Sequence, residues 1–200
     1  MRYTGSIYRK SRKLGFSLLE NNKEFSKGKK RTTRPGQHGA KKAKLTNYGQ
    51  QLQEKQKLMF LYGLNDRQFR RFFLLAKKQK GATTLNLLKV LESRLDSLVF
   101  RAGIAPTRRS ARQLVTHKHI LLNGKVVNIP SIIVNIGDKI AVHDKAKSLD
   151  LIKNVKNHPA EFIKFDKNNL VAELIRLPER QELPDGINES SVVEWFNRYL

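Results

Sequence analysis

The chain has 200 residues, with 40 Lys and Arg against 17 Asp and Glu and a formal net charge of +23. A charge of that size points to a polyanionic partner, either nucleic acid or an anionic membrane surface. Its lack of cysteine excludes a disulfide framework, a thiolate zinc site, an iron–sulfur cluster and a cysteine nucleophile, and no segment approaches the roughly 18 apolar residues of a membrane span.

Charge is sorted along the chain. The first fifty residues carry 14 basic and 2 acidic side chains, whereas the last fifty carry 7 and 8. This sorting suits a protein that lays most of its length on RNA and keeps its tail for protein contacts. Residues 1–45 show no strand or helix periodicity and contain Pro35 and five glycines. They are expected to form an extended basic arm that orders on its partner, with a plain disordered tail as the alternative. On that reading the rest of the chain folds without them. The N-terminus lacks the apolar run of a secretory signal, although its basic, acid-free composition loosely resembles a transit peptide. Cytoplasm is the default address.

Thr46 offers an N-cap for a helix ending at Gly63, with Tyr48, Leu52, Met59 and Tyr62 on its apolar face. Asn65 and Gln68 form a capping-box pattern for a second helix. Its stripe of Phe69, Phe72, Phe73 and Ala76 reads as core packing rather than a base-stacking surface, leaving Arg67, Arg70 and Arg71 for phosphate. Leu85, Leu88, Leu91, Leu95, Leu98 and Ala102 predict one continuous helix that stops at Gly103. The next helix starts at Pro106-Thr107, with Ala111, Leu114 and Val115 inward and Arg108, Arg109 and Arg112 outward.

The period then becomes that of strands. Residues 120–122 and 125–129 flank Asn123-Gly124, a strong two-residue hairpin signal. Residues 132–134 and 139–142 are expected to pair with each other, and 161–165 with 170–176. Asn188 caps a C-terminal helix that carries the only Trp. The fold class is therefore α+β, with expected boundaries at 1–45, 46–90, 92–155 and 156–200.

The chemistry points to binding rather than catalysis. The sequence has no GxxxxGK[ST], GxGxxG or GxSxG motif. His117 and His119 lack a third zinc ligand, so they read as donors to phosphate or base. Ser93-Arg94-Leu95-Asp96 resembles the run around the catalytic aspartate of some pseudouridine synthases. Within an amphipathic helix and with so little chain after it, Asp96 reads instead as a surface or salt-bridging group. The three helix arginines, the helix N-terminus and a hairpin bearing Lys118, His119, Asn123 and Lys125 would make one concave basic surface for folded RNA. Triple truncation of those arginines is expected to leave the fold nearly intact.

Glu92-Ser-Arg-Leu-Asp, Thr107-Arg-Arg-Ser-Ala-Arg-Gln-Leu-Val, His119-Ile and Asn123-Gly-Lys-Val-Val resemble the small RNA-binding module called the S-four domain. Outside it, Arg2-Tyr-Thr-Gly, Pro35-Gly-Gln-His-Gly, Glu54-Lys-Gln-Lys-Leu, Tyr62-Gly, Arg67-Gln-Phe-Arg and Leu177-Pro-Glu-Arg are similar to the bacterial-type ribosomal S-four family. The resemblance spans almost the whole chain in one order.

It implies a helical domain after the arm, then an S-four-type module of two helices and a hairpin within a small antiparallel sheet domain. It implies a structural constituent of the small subunit, with no enzymatic activity and no cofactor, that binds the 5′ domain of small-subunit rRNA and nucleates assembly. The same resemblance implies contact with ribosomal proteins S-five and S-three, and through S-five a bearing on decoding accuracy. Lys41, Lys42 and Lys44 occupy the positions that line the mRNA entry pore. Many members hold zinc with four cysteines in the arm; Tyr8 and Ser11 stand where the first pair would be, so this chain resembles the zinc-free form.

The expected RNA-binding residues in the first half are Arg2, Tyr3, Arg9, Lys10, Arg12, Lys13, Arg34, Gln37, His38, Lys55, Lys57, Arg67, Arg70 and Arg71. In the second half they are Arg108, Arg109, Arg112, Gln113, His117, Lys118, His119, Asn123 and Lys125. The rival reading is an RNA-modifying enzyme or a stress-response RNA-binding factor that uses the same module as an accessory.

Overall fold

The computed structural model describes residues 3–26, 28, 32–41, 44–153, 155 and 158–199. The chain divides into two units, one of residues 1–84 with 184–200 and the other of residues 85–183.

The first unit is helical. Its helices are α1 (Ile7–Leu14), α2 (Asn47–Leu61), α3 (Asp66–Lys77) and the C-terminal helix, which becomes α8 (Glu189–Asn197) in chain order. The expected caps form. Thr46 accepts the Gly49 N–H, Asn65 and Gln68 complete a capping box, and Asn188 accepts the Ser191 N–H. Each satisfies an end amide that the helix itself cannot reach. The α3 stripe of Phe69, Phe72, Phe73 and Ala76 is buried as expected. Phe196 of α8 stacks on Phe73 at 4.3 Å and meets Phe69 edge-on at 5.3 Å.

Two expectations for this unit are corrected. The arm is not extended throughout, because residues 7–14 form α1 and bury Ile7, Ser11 and Leu14, with Leu18 buried just beyond. Only three apolar residues are involved, too few to show against the basic background. The inner face of α2 is Lys55, Leu58 and Leu61, whereas Tyr48 is exposed. Docking of α8 on α2, which no local periodicity reports, sets that face.

In the second unit, α4 (Thr83–Glu92) starts at the boundary and is followed by α5 (Leu95–Arg101) and α6 (Arg108–Thr116). The predicted single helix over 85–102 is thus two. Arg94 leaves the helical path at φ −70°, ψ 143°, and its backbone bridges Ile133. The Leu95 N–H donates to the Ile132 carbonyl and the Val134 N–H to the Ser93 carbonyl, both at 2.8 Å. The segment 132–134 is therefore spent on the helix break instead of pairing with 139–142.

Five antiparallel strands follow: β1 (Ile120–Leu122), β2 (Lys125–Val127), β3 (Lys139–Val142), β4 (Ile163–Asp166) and β5 (Val171–Leu174), in the spatial order β2-β1-β3-β5-β4. A four-residue helix, α7 (Asp150–Lys153), lies between β3 and β4. The expected 161–176 hairpin forms as β4–β5 and belongs to this sheet, so 156–200 is not one block. Asn123 and Gly124 take φ 50° and 77°, the geometry of a type I′ turn. Ile120, Ile140, Val142, Ala172 and Leu174 bury into a core shared with Leu95, Leu98, Ala111, Leu114 and Val115, each large side chain contributing about 1.5–3 kcal/mol.

Candidate nucleic-acid interface

In the second unit, the expected basic helix has three arginines in three different settings. Thr107 caps α6 and forms a capping box with Ser110, and Ala111, Leu114 and Val115 are buried as expected. Arg109 is exposed. Arg108 is not outward: its side chain is 9% exposed, donates to Glu92 at 2.7 Å and lies over the Phe100 ring at 4.7 Å. Arg112 is 20% exposed and donates to Asp96 at 3.2 Å. Helical spacing places these two on the edge of the core face, where buried carboxylates draw them in. Triple truncation will therefore not leave the fold nearly intact.

The carboxylates are the functional residues that sequence reasoning missed or misplaced. Glu92 has no exposed side-chain surface and also binds Arg101 at 2.9 Å. Of the two expectations for Asp96, the salt-bridging group holds and the surface group does not, because its side chain is buried. It takes two bonds from the fully buried Arg94, Nε at 3.0 Å and a terminal nitrogen at 2.5 Å. Glu92 and Asp96 are four apart, as are Arg108 and Arg112, and this matched spacing was the available signal.

Gln113, His117 and Lys118 are exposed, and the His117 and His119 rings lie 6.1 Å apart. Lys118 takes φ 63° where the chain turns from α6 into β1. Lys125 is exposed on β2. Asn123 is exposed, and its side chain donates to Asp138 at 2.8 Å and accepts the Lys139 N–H at 2.9 Å. It ties the hairpin turn to β3.

The first unit holds a basic groove of about 570 Å³ lined by Arg9, Lys10, Lys13, Arg34, His38 and Lys41, among others, with no carboxylate among the described residues of its wall. Pro35, Gly36 and Gly39 line it too. Gly36 takes φ 107°, and a Cβ on Gly39 would strike the Arg34 carbonyl oxygen, so neither position accepts a larger residue without rearrangement. Tyr3 donates to the Ser6 carbonyl at 3.3 Å and meets Phe60 edge-on at 5.6 Å, while Lys10 lies within 5.0 Å of both ring centres. Gln37, Lys44, Arg67, Arg70 and Arg71 are exposed, and Arg12 is half-buried. Arg2 and Lys42 lie outside the described residues.

Lys55 and Lys57 are corrections. Lys55 is 6% exposed, pairs with Asp66 and sits 4.0 Å over the Trp195 ring. Lys57 donates to Glu54 at 2.6 Å and to the Gly186 carbonyl at 3.3 Å. Both are turned toward the chain leading into α8, because Glu54 also accepts the Asn188 N–H there.

No group of three or more His, Asp or Glu among the described residues could hold a metal ion. Nor do the arm's residues fit the zinc that the resemblance attaches to four cysteines, since Tyr8 is exposed and the Ser11 hydroxyl is buried, accepting the Leu18 N–H.

Residues 2–92 match the family described as ribosomal protein S4/S9 N-terminal domain, and residues 93–140 match the S4 domain. The chain is 68% identical over 200 residues to a protein named small ribosomal subunit protein uS4 from Ureaplasma urealyticum, covering all of this chain and 99% of that one. It is 60% identical to a protein of the same name from Malacoplasma penetrans, with the same coverage. A third, from Mycoplasma genitalium, is 55% identical over 204 residues and is covered completely in both directions.

Proposed function

The chain belongs to the S4 family of ribosomal proteins, a structural family and not an enzymatic one, and from that premise we propose that it binds the 5′ domain of small-subunit rRNA and nucleates assembly. The observation that carries this reading is the basic groove of the first unit, where Arg9, Lys10, Lys13, Arg34 and Lys41 converge on one cavity. Clustered cations around a concavity release counterions from a folded phosphate backbone and raise its local concentration. In the second unit, Arg109, Gln113, His117 and Lys118 add an exposed basic and polar stripe suited to the shape and phosphates of RNA.

On the same reading the protein resides in the cytoplasmic ribosome beside ribosomal proteins S-five and S-three. Lys41, Lys42 and Lys44 face mRNA at the entry pore, and the S-five contact affects decoding accuracy. The RNA-modifying rival needs Asp96 presented to a substrate. That carboxylate is instead buried between Arg94 and Arg112.

Sedimentation tests the proposal. Stoichiometric co-migration with small subunits after a high-salt wash is the expected result. A free or substoichiometric protein would overturn it.

A further inference from the structure

Resting on the reading that the second unit binds RNA, we propose that Glu92 and Asp96 are positioning residues that set which face of α6 meets RNA. They act through Arg108 and Arg112. Buried carboxylates are costly unless each is closely paired, and here each is shared by two guanidiniums. Glu92 lies between Arg101 at 2.9 Å and Arg108 at 2.7 Å, and Asp96 between Arg94 at 2.5 Å and Arg112 at 3.2 Å.

Arg108 and Arg112 are one turn apart on α6, so the two ion pairs are rungs of one ladder joining α6 to the α4–α5 junction. A helix turns about 100° per residue. Rolling α6 by one position would break both rungs and carry either Leu114 or Val115, according to the direction of the roll, out of the core. With that roll fixed, Arg109, Gln113 and Thr116 form the opposite stripe at spacings of four and three. All three are exposed, as are His117 and Lys118 that follow.

The ladder thus separates two kinds of arginine on one short helix. Arg109 meets phosphate directly, with Gln113 beside it. Arg108 and Arg112 are held by carboxylates that each shares with a second arginine, and they keep the stripe in register. Four arginines on two carboxylates still leave two positive charges beneath it, which adds to the field around the stripe without direct contact.

The test uses the full chain, a transcript of the small-subunit rRNA 5′ domain, several salt concentrations and a denaturant midpoint for each variant. Arg109→Gln is expected to lower the log–log salt slope by about 0.7–0.9, the share of one phosphate contact. Arg112→Gln keeps the Asp96–Arg94 pair and so remains folded. It is expected to leave the slope unchanged while weakening binding about tenfold, and less than about twofold when Arg109 is already Gln. That dependence on Arg109 is a readout that simple loss of stability does not produce. An Arg112→Gln slope reduced as much as that of Arg109→Gln would make Arg112 a direct phosphate contact and overturn the proposal. Equal weakening in both backgrounds would also overturn it. If neither the native chain nor Arg109→Gln shows salt-dependent binding, the RNA-binding reading falls and the ladder's role falls with it.

Discussion

The Ser11 hydroxyl, buried midway along α1, accepts the backbone N–H of Leu18 at 3.2 Å. The Ser11 carbonyl meanwhile receives the Phe16 N–H, also at 3.2 Å. One residue thereby closes the turn after α1, and the Ser17 hydroxyl continues it by accepting the Asn22 N–H at 3.1 Å. The arm therefore has a small hydrogen-bonded and apolar centre of its own.

Ser11→Ala is therefore expected to leave a buried N–H without its partner and to cost about 1–3 kcal/mol. Chelator should not shift the melting midpoint of either protein. Deleting residues 1–45 removes Ile7, Leu14 and Leu18 as well, at about 1.5–3 kcal/mol each. Urea unfolding of the three chains checks this, and a deletion as stable as the full chain would return the arm to a dispensable tail.

Arg108 and Arg109 are adjacent in sequence and opposite in consequence. Arg108→Ala takes from the fully buried Glu92 one of its two arginine pairs and keeps the Arg101 one. Breaking such a pair costs about 3–5 kcal/mol, and the retained Arg101 places the expectation at the lower end. Arg109→Ala, at an exposed site, should stay within about 0.5 kcal/mol. Denaturant midpoints of the two variants settle the contrast, and equal midpoints would remove the ladder from the stability of the second unit.

Acid stability has a local source at Arg176 and Glu182, whose side chains pair at 2.7 Å in two bonds. The Arg176 hydrogen bond holds the Glu182 carboxyl below its usual value of 4.5. A carboxyl depressed by folding contributes stability above its unfolded value and loses that contribution as pH falls through the folded one. Glu182→Gln should therefore lower the midpoint near neutrality and flatten its decline below about pH 4.5. Thermal melts from pH 7 to 3 measure both, and parallel curves for the two proteins would contradict the assignment.

Much of this was legible in the sequence because it is local. Caps at Thr46, Asn65, Thr107 and Asn188, the Asn123-Gly124 turn and the Phe stripe of α3 each follow from residues within one or two turns. What escaped is non-local. The leucines of 85–102 keep a helical beat across Arg94, yet the backbone there bonds to residues 130–134, whose register no window of α4 contains. Lys55 reads as a surface cation until Asp66 and Trp195 are placed around it. The candidate interface divides along the same line. Exposed Arg67, Arg70, Arg71 and Arg109 lie where spacing put them, whereas Arg108 and Arg112 were claimed by carboxylates 16 residues away.

The lysines proposed to line the mRNA entry give the last prediction. Lys41 and Lys44 are exposed, and exposed lysines away from caps and ion pairs can be truncated at a cost within about 0.5 kcal/mol each. Replacing Lys41, Lys42 and Lys44 together with Ala should therefore leave the first unit folded. Assembly draws on the whole groove, and Arg9, Lys10, Lys13 and Arg34 remain in it, so incorporation into small subunits should fall only slightly. On the proposed reading these three cations hold the phosphates of an mRNA helix at the entry, and removing them weakens that hold at every step. Subunits carrying the variant should accordingly translate an unstructured message at close to the native rate and slow on one with a stable hairpin. A reconstituted translation assay on the two messages, read beside subunit yield, separates the effects. Equal losses in yield and on both messages would assign these lysines to rRNA binding instead.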